Sequence, residues 1–253
     1  MSKNFSVWVI ADLHLSFGVA NKEMDVFGEE WKGWTEKIAN NWMANISTED
    51  LILIPGDISW AMHLEDALPD LEWLDSLPGT KVIIRGNHDY WWSSRTKIEK
   101  ALPPSVHIIQ NDAFQWKNVS IAGARLWDTP EFNFGDYIIV KESERSKELT
   151  EYEGNLENTE KIFQRELGRL ELSLKEVNVD ADHRIAMTHY PPIGADLEES
   201  RVSSLLEKYN IDICVFGHLH SLKPGSLPFG EKNGVTYHLT SCDYLNFMPL
   251  KII

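Results

Sequence analysis

Cysteine is nearly absent from this chain: only Cys214 and Cys242 occur in 253 residues. Two thiols cannot staple a small secreted scaffold, and Cys214 stands inside an apolar run, so a reducing, cytoplasmic compartment is expected. Long apolar runs are missing too, and no stretch approaches the roughly 20 residues a membrane-spanning helix needs. The start, Met1-Ser2-Lys3-Asn4, runs straight into a strand-like segment without the apolar core of a secretory signal. Basic residues are scarce, with 24 Lys and Arg against 39 Asp and Glu and a net charge of −15. That balance speaks against extended nucleic acid as a partner, because such binding neutralises phosphates with Lys and Arg. It leaves room for a small phosphate-bearing substrate, since bound cations reverse the field locally. With no repeat, low-complexity tract or Pro/Gly/Ser linker, residues 1–253 read as a single domain with a sizeable core.

What is present is alternation. Phe5-Ser6-Val7-Trp8-Val9-Ile10-Ala11 reads as a strand, and Trp34, Ile38, Trp42 and Ile46 recur at helical spacing. Leu51-Ile52-Leu53-Ile54 is a short buried strand, and Leu64, Leu68, Leu71, Leu74 and Leu77 form the next helical stripe. Pro69 is expected in the first turn of that helix or at a kink. Lys81-Val82-Ile83-Ile84 is a strand, followed by a helix over 93–101. Three strands then crowd together at 106–109, 113–116 and 119–123, too close for helices between them. Residues 125–135 are aromatic and turn-rich, 141–153 read as a charged, solvated loop or helix start, and a helix is expected over about 156–177. A strand at 184–188, a helix through Val202, Leu205, Leu206 and Tyr209, and a strand at 211–216 follow, with short strands over 235–240 and 247–252. Alternation at both ends, with strand pairs between, implies helices covering a mixed sheet system.

The strand ends share a chemistry. Asp12 and His14 follow the first strand, Asp57 the second, and Asn87 with His88 the third; His189 and then His218 with His220 follow two later ones. Open α/β sheets bind ligands at the carboxyl ends of their strands. Carboxylates, an amide and several imidazoles make a ligand set that suits Mn, Fe or Zn better than Mg or Ca. There are too many ligands for one tetrahedral ion, and two ions sharing a bridging carboxylate would use them all.

In order, Asp12-Leu13-His14, Gly56-Asp57, Gly86-Asn87-His88-Asp89, the lone His189 and Gly217-His218-Leu219-His220 resemble the motif series of the calcineurin-like metallophosphoesterases. Any one of these motifs is weak, and the ordered set is strong. The resemblance implies an α/β fold of two packed mixed β-sheets flanked by helices, a four-layer α/β/β/α sandwich. It implies that Asp12, His14 and His220 hold one metal, that Asn87, His189 and His218 hold the other, and that Asp57 bridges them. It further implies a metal-activated hydroxide attacking a phosphoester, with Asp57 and Asn87 in the catalytic centre and His88 as general acid to the leaving oxygen.

One departure narrows the reading. Relatives among the Ser/Thr protein phosphatases carry Asp-Arg-Gly after the Gly-Asp, its Asp orienting the catalytic histidine, whereas this chain reads Asp57-Ile58-Ser59-Trp60-Ala61-Met62. The partner of His88 is therefore unassigned, and a small phosphodiester is favoured over a protein substrate. A small-molecule monoesterase or a nuclease remains as an alternative, and a non-enzymatic scaffold ranks below both, because the full ligand set and His88 are present. The native metal pair and the oligomeric state stay open. His63, His107, His183 and His238 read as structural or surface residues, Cys214 as core and Asp89 as a turn-stabilising carboxylate. Arg85 and Arg125 are weighed between contact with a phosphate and surface or sheet-edge salt bridges, and the salt bridges are favoured for each. Among Trp60, Tyr90, Trp91 and Trp92, at least one is weighed evenly between core and pocket wall. Residues 15–28 and 125–154 are read as surface connections rather than as caps over the site.

Overall fold

The computed structural model describes residues 5–139, 156–223, 225 and 229–253. The charged stretch 141–153 lies outside them. A five-stranded sheet has the order β11-β1-β2-β3-β4, from β1 (Val7–Val9), β2 (Leu51–Ile54), β3 (Thr80–Ile83), β4 (Val106–Ile108) and β11 (Leu250–Lys251). Strands β1 to β4 run parallel, and β11 closes one edge antiparallel. The six-stranded sheet has the order β5-β6-β7-β8-β10-β9, from β5 (Ala113–Trp116), β6 (Val119–Ala124), β7 (His183–Thr188), β8 (Ile213–Phe216), β9 (Glu231–Lys232) and β10 (Val235–Leu239). Its interior pairs are parallel, and β5 and β9 pair antiparallel at the two edges.

Side-chain alternation sorts the layers. Val7, Val9, Leu51, Leu53, Val82 and Ile84 face Ile121, Ile185, Met187 and Val215 of the other sheet. The intervening residues Ile52, Ile54 and Ile83 point the opposite way, where α1 (Trp34–Asn45), α2 (Leu64–Ser76) and α3 (Arg95–Ala101) supply Ile38, Trp42, Leu71, Leu74 and Ile98. On the far side of the second sheet, Ala122, Ala186, Cys214 and Phe216 pack with Phe163, Leu170 and Leu174 of α4 (Leu156–Lys175) and Val202 and Leu206 of α5 (Arg201–Lys208). A period of two in strands buried on both faces thus builds helix, sheet, sheet, helix.

Two details differ from the sequence reading. Pro69 stands inside α2 and not in its first turn; the Glu65 carbonyl therefore lacks its intrahelical donor. The C-terminal strand is only Leu250–Lys251, and the two-residue β9 had no periodicity to reveal it.

Candidate metal centre

The ligand-bearing loops leave the carboxyl ends of β1, β2, β3, β7 and β8 and are laced together by their own backbones. Asp12 N–H donates to Gly56 O (3.1 Å), His14 N–H to Asp57 O (3.0 Å) and Gly217 N–H to His189 O (3.2 Å). Ala11 N–H reaches Thr240 O (2.7 Å), tying the two sheets at this edge. Asp12, His14, Asp57 and His218 all have positive φ (60°, 47°, 53° and 72°). Non-glycine residues avoid that region, and where they occupy it the surroundings must hold them there, as at many functional sites. Two motif glycines have a packing reason: a Cβ on Gly86 would run into Asp57 Oδ1, and one on Gly217 into Asp12 Oδ2.

All seven side chains proposed from the sequence as ligands meet. Asp12, His14 and His220 form one close group and Asp12, Asp57 and His189 another. His14 Nε2 and His220 Nε2 are 3.3 Å apart, and Asp12 Oδ1 is 3.6 Å from the latter. Asp57 Oδ2 lies 3.8 Å from His14 Nε2 and 3.4 Å from His189 Nε2, between the two histidines. Asn87 Oδ1 meets His189 Nε2 at 2.6 Å and His218 Nδ1 at 3.1 Å. Ligand atoms about 2.1 Å from one tetrahedral ion sit about 3.4 Å apart, so these separations suit metal binding. The His14 Nδ1 nitrogen is buried and has no hydrogen-bond partner among the described residues, and the ring stacks on Trp60.

The electrostatics divide the histidines. Burial works against the charged form of His189, yet Asp57, Asp12 and the Pro55 carbonyl outweigh it and raise its pKa to about 9. Burial likewise opposes charge on His220, and Asp243 and Asp12 raise it to about 9. His14 and His218 are held well below the ordinary imidazole value by burial and by neighbouring histidines. Burial raises Asp12 to about 6 against the pull of His220 and His189. Burial also opposes the Asp57 charge, but His189, His14 and His88 hold its carboxyl well below the usual range.

His88 sits at this cluster without joining it. Its backbone N–H donates to Asp57 Oδ1 (2.9 Å), and its ring lies 4.5 Å from Trp60 and 5.6 Å from His14. Its Nδ1 is buried with no hydrogen-bond partner, so among the described residues no carboxylate takes the place of the missing Asp-Arg-Gly aspartate there. Trp60 stacks on His14 at 4.9 Å, Trp31 is 5.8 Å from His220, and half-exposed Tyr90 presents an edge to His88 at 6.3 Å. Trp60 and Tyr90 thus line the site, while Trp91 is core. The 15–28 connection leans on the same wall, with Met24 Sδ accepting from Trp60 Nε1 (3.2 Å) and Lys22 Nζ 5.5 Å from that ring. On the other side Trp127 packs on Tyr190 (5.2 Å), which packs on His218 (4.0 Å).

Other residues had no signal in the sequence or a different one. Asp243 accepts from His220 Nδ1 at 2.9 Å and from Ser221 N–H at 3.0 Å. Cys242, buried, directs its thiol to Asp12 O. Asp89 is more than a turn residue: it accepts the N–H groups of Asp57, Ile58, Ser59 and Gly86 and the Trp91 indole N–H, locking the second motif loop to the third. Arg125 pairs with Glu166 (3.2 Å), as expected, but Arg85 makes no ion pair among the described residues. His63, His107, His183 and His238 lie on α2's N-cap, β4, β7 and β10, away from the cluster.

Known proteins resemble this chain at several levels. The Gene 66 protein of Mycobacterium phage D29 is 34% identical over 86 residues, 33% of this chain and 40% of that protein, so the match spans less than half of its length. A solved protein of unknown function from Aquifex aeolicus shares the fold at TM-score 0.50 and 15% identity, covering 98% of this chain and 96% of its own. Phosphopantetheinyl hydrolase from Mycobacterium tuberculosis does so at TM-score 0.54 and 13% identity, with 100% and 97% covered. The family model described as calcineurin-like phosphoesterase matches residues 5–222, the whole span that carries the converging side chains. The chain belongs to the calcineurin-like phosphoesterase family.

Proposed function

We propose that the protein hydrolyses a small phosphodiester at a pair of Mn, Fe or Zn ions, in a reducing, cytoplasmic compartment. Asp12, His14 and His220 would hold one ion, Asn87, His189 and His218 the other, with Asp57 shared. The observation that carries this reading is Asp57 Oδ2, within 3.8 Å of His14 on one side and 3.4 Å of His189 on the other. Such ions, when bound, act as Lewis acids that acidify water and neutralise the phosphoryl oxygens.

The chain's own residues do the rest. His189 presents Nε2 because its Nδ1 bonds the Pro55 carbonyl (2.9 Å), and His220 does so because Asp243 takes its Nδ1. An orienting partner of this kind fixes the tautomer and the direction of the lone pair. His88 is the general acid. In the metal-free protein burial lowers its pKa, and an anionic ester beside the ring favours the protonated form that a general acid needs. Trp60 and Tyr90 give the flank an apolar surface. A diester carries one charge fewer than a monoester and a second organic group, and that flank accommodates the second group.

The test follows hydrolysis of bis(p-nitrophenyl) phosphate beside p-nitrophenyl phosphate on protein with measured metal content and Mn²⁺ supplied. Faster turnover of the diester is expected. Preference for the monoester transfers the reading to a small-molecule phosphatase, and no turnover of either by metal-loaded protein overturns it.

A further inference from the structure

On the other side of the third motif lies a cleft of about 250 Å³. One water needs only ~10–15 Å³, so the space admits a small ligand. Arg85, Arg125 and Arg169 line it, with Glu166, Trp92 and Gln110. In a chain of net charge −15, three guanidinium groups against one carboxylate are a local reversal of sign. Glu166 is already engaged, paired with Arg125 at 3.2 Å and Arg169 at 2.7 Å. Arg85 has no such partner: it makes no ion pair among the described residues, and its Nε is buried without an acceptor. The Arg125 Nε is buried and unsatisfied as well, while its guanidinium lies over Trp127 at 4.6 Å, which fixes the plane it offers. Buried N–H groups without acceptors are rare and costly, and a guanidinium stays charged even when half-buried.

We propose that this cleft binds a phosphate-class oxyanion through Arg85, Arg125 and Arg169, at a site separate from the histidine and carboxylate centre. The guanidinium fork matches the oxygens of such an ion in spacing and in charge. The cleft backs onto the loops of the metal centre: Arg85 immediately precedes Gly86-Asn87-His88, and the Arg125 carbonyl accepts the N–H groups of His189 (3.1 Å) and Tyr190 (3.0 Å). The oxyanion is either the non-reacting phosphate of a doubly phosphorylated ester or free inorganic phosphate, the chemistry being the same.

Inorganic phosphate titrated calorimetrically into metal-loaded protein tests this without relying on turnover. The wild type is expected to bind an equivalent of phosphate beyond any taken up at the metals. Arg85→Gln is expected to lose that equivalent while keeping its metal content and its hydrolysis of bis(p-nitrophenyl) phosphate. Arg169→Gln alters a half-exposed side chain and leaves Arg125 paired with Glu166, and should weaken the same equivalent by about tenfold, the value of one charge-assisted hydrogen bond. Absence of the extra equivalent in the wild type, or wild-type binding in both variants, overturns the proposal. If the anion belongs to the substrate, Arg85→Gln raises KM only for an ester bearing a second phosphate. If it is free phosphate, the variant leaves KM for both kinds of ester unchanged.

Discussion

His189 and His220 differ from His14 and His218 in what stands behind the ring. The first two are anchored by hydrogen bonds from Nδ1, to the Pro55 carbonyl and to the Asp243 carboxylate, each at 2.9 Å. Of the other two, His14 stacks on Trp60 with no hydrogen-bond partner for its Nδ1 among the described residues, and His218 packs on Tyr190 with its Nδ1 3.1 Å from Asn87 Oδ1. Charge follows the same division, with the anchored rings raised to about 9 and the stacked ones pushed well below their ordinary value. Without a bound metal, His189 and His220 therefore hold a proton while His14 and His218 stay neutral. The carboxylates follow this plan too: Asp57 lies against His189, while Asp12 lies against His220 and, more distantly, His189.

The largest effect is expected at the histidine that fits neither class. His88 packs at a tilt against Trp60 and its ring makes no hydrogen bond among the described residues, so His88→Asn should lower kcat/KM for an ester with a poor leaving group by about 10²–10⁴-fold. Metal content should be unchanged, and p-nitrophenolate, which leaves readily, should suffer less. An unaltered rate on the poor leaving group would leave His88 as a structural residue of the site wall. Asp243→Asn comes next. Loss of a residue that orients a ligand costs about 10–100-fold in metal affinity. The loss should fall on the Asp12, His14 and His220 group alone, so metal titration should show one equivalent weakened and the other retained. Equal weakening of both would erase the distinction between the halves.

The positions of the anchored and stacked rings were legible because each follows a β-branched or apolar run directly in sequence. Asp12, Asp57, Asn87, His189 and His218 all sit within a few residues of a strand end, where local periodicity locates them. What stands behind the rings was not legible. Asp243 lies 23 residues beyond His220 in a turn that follows β10, with no motif around it. Asp89 was visible as a turn residue, yet three of its donors, Asp57, Ile58 and Ser59, come from a loop some 30 residues away, and only the fold brings them over it. The sheet packing was half visible. Val7, Trp8 and Val9 alternate, but a strand buried on both faces reads as continuously apolar and does not say which face meets helices. Arg85 was misjudged for a related reason: a salt bridge is a property of what faces the arginine, and nothing in the sequence places a carboxylate there.

The smallest predicted effect is the most direct probe of the charge division. In metal-stripped protein, His189 and His220 titrate near 9 in the folded state against about 6.5 in an unfolded chain. A raised imidazole pKa contributes stability that is complete below about pH 6.5 and is lost as pH rises through the folded value. Asp12, raised to about 6, acts in the same direction at lower pH, since burying its charge becomes a cost once it ionises. The melting temperature of stripped protein should therefore fall between about pH 6.5 and 9. Metal-loaded protein should not follow it, because ions compete with those protons and bind more tightly as the imidazoles become neutral. The gap between melts with Mn²⁺ and with chelator should thus widen across that interval, and a constant gap would mean the anchored rings are uncharged. In Asp243→Asn, where the main cause of the raised His220 pKa is gone, the gap should widen less steeply, leaving only the His189 contribution.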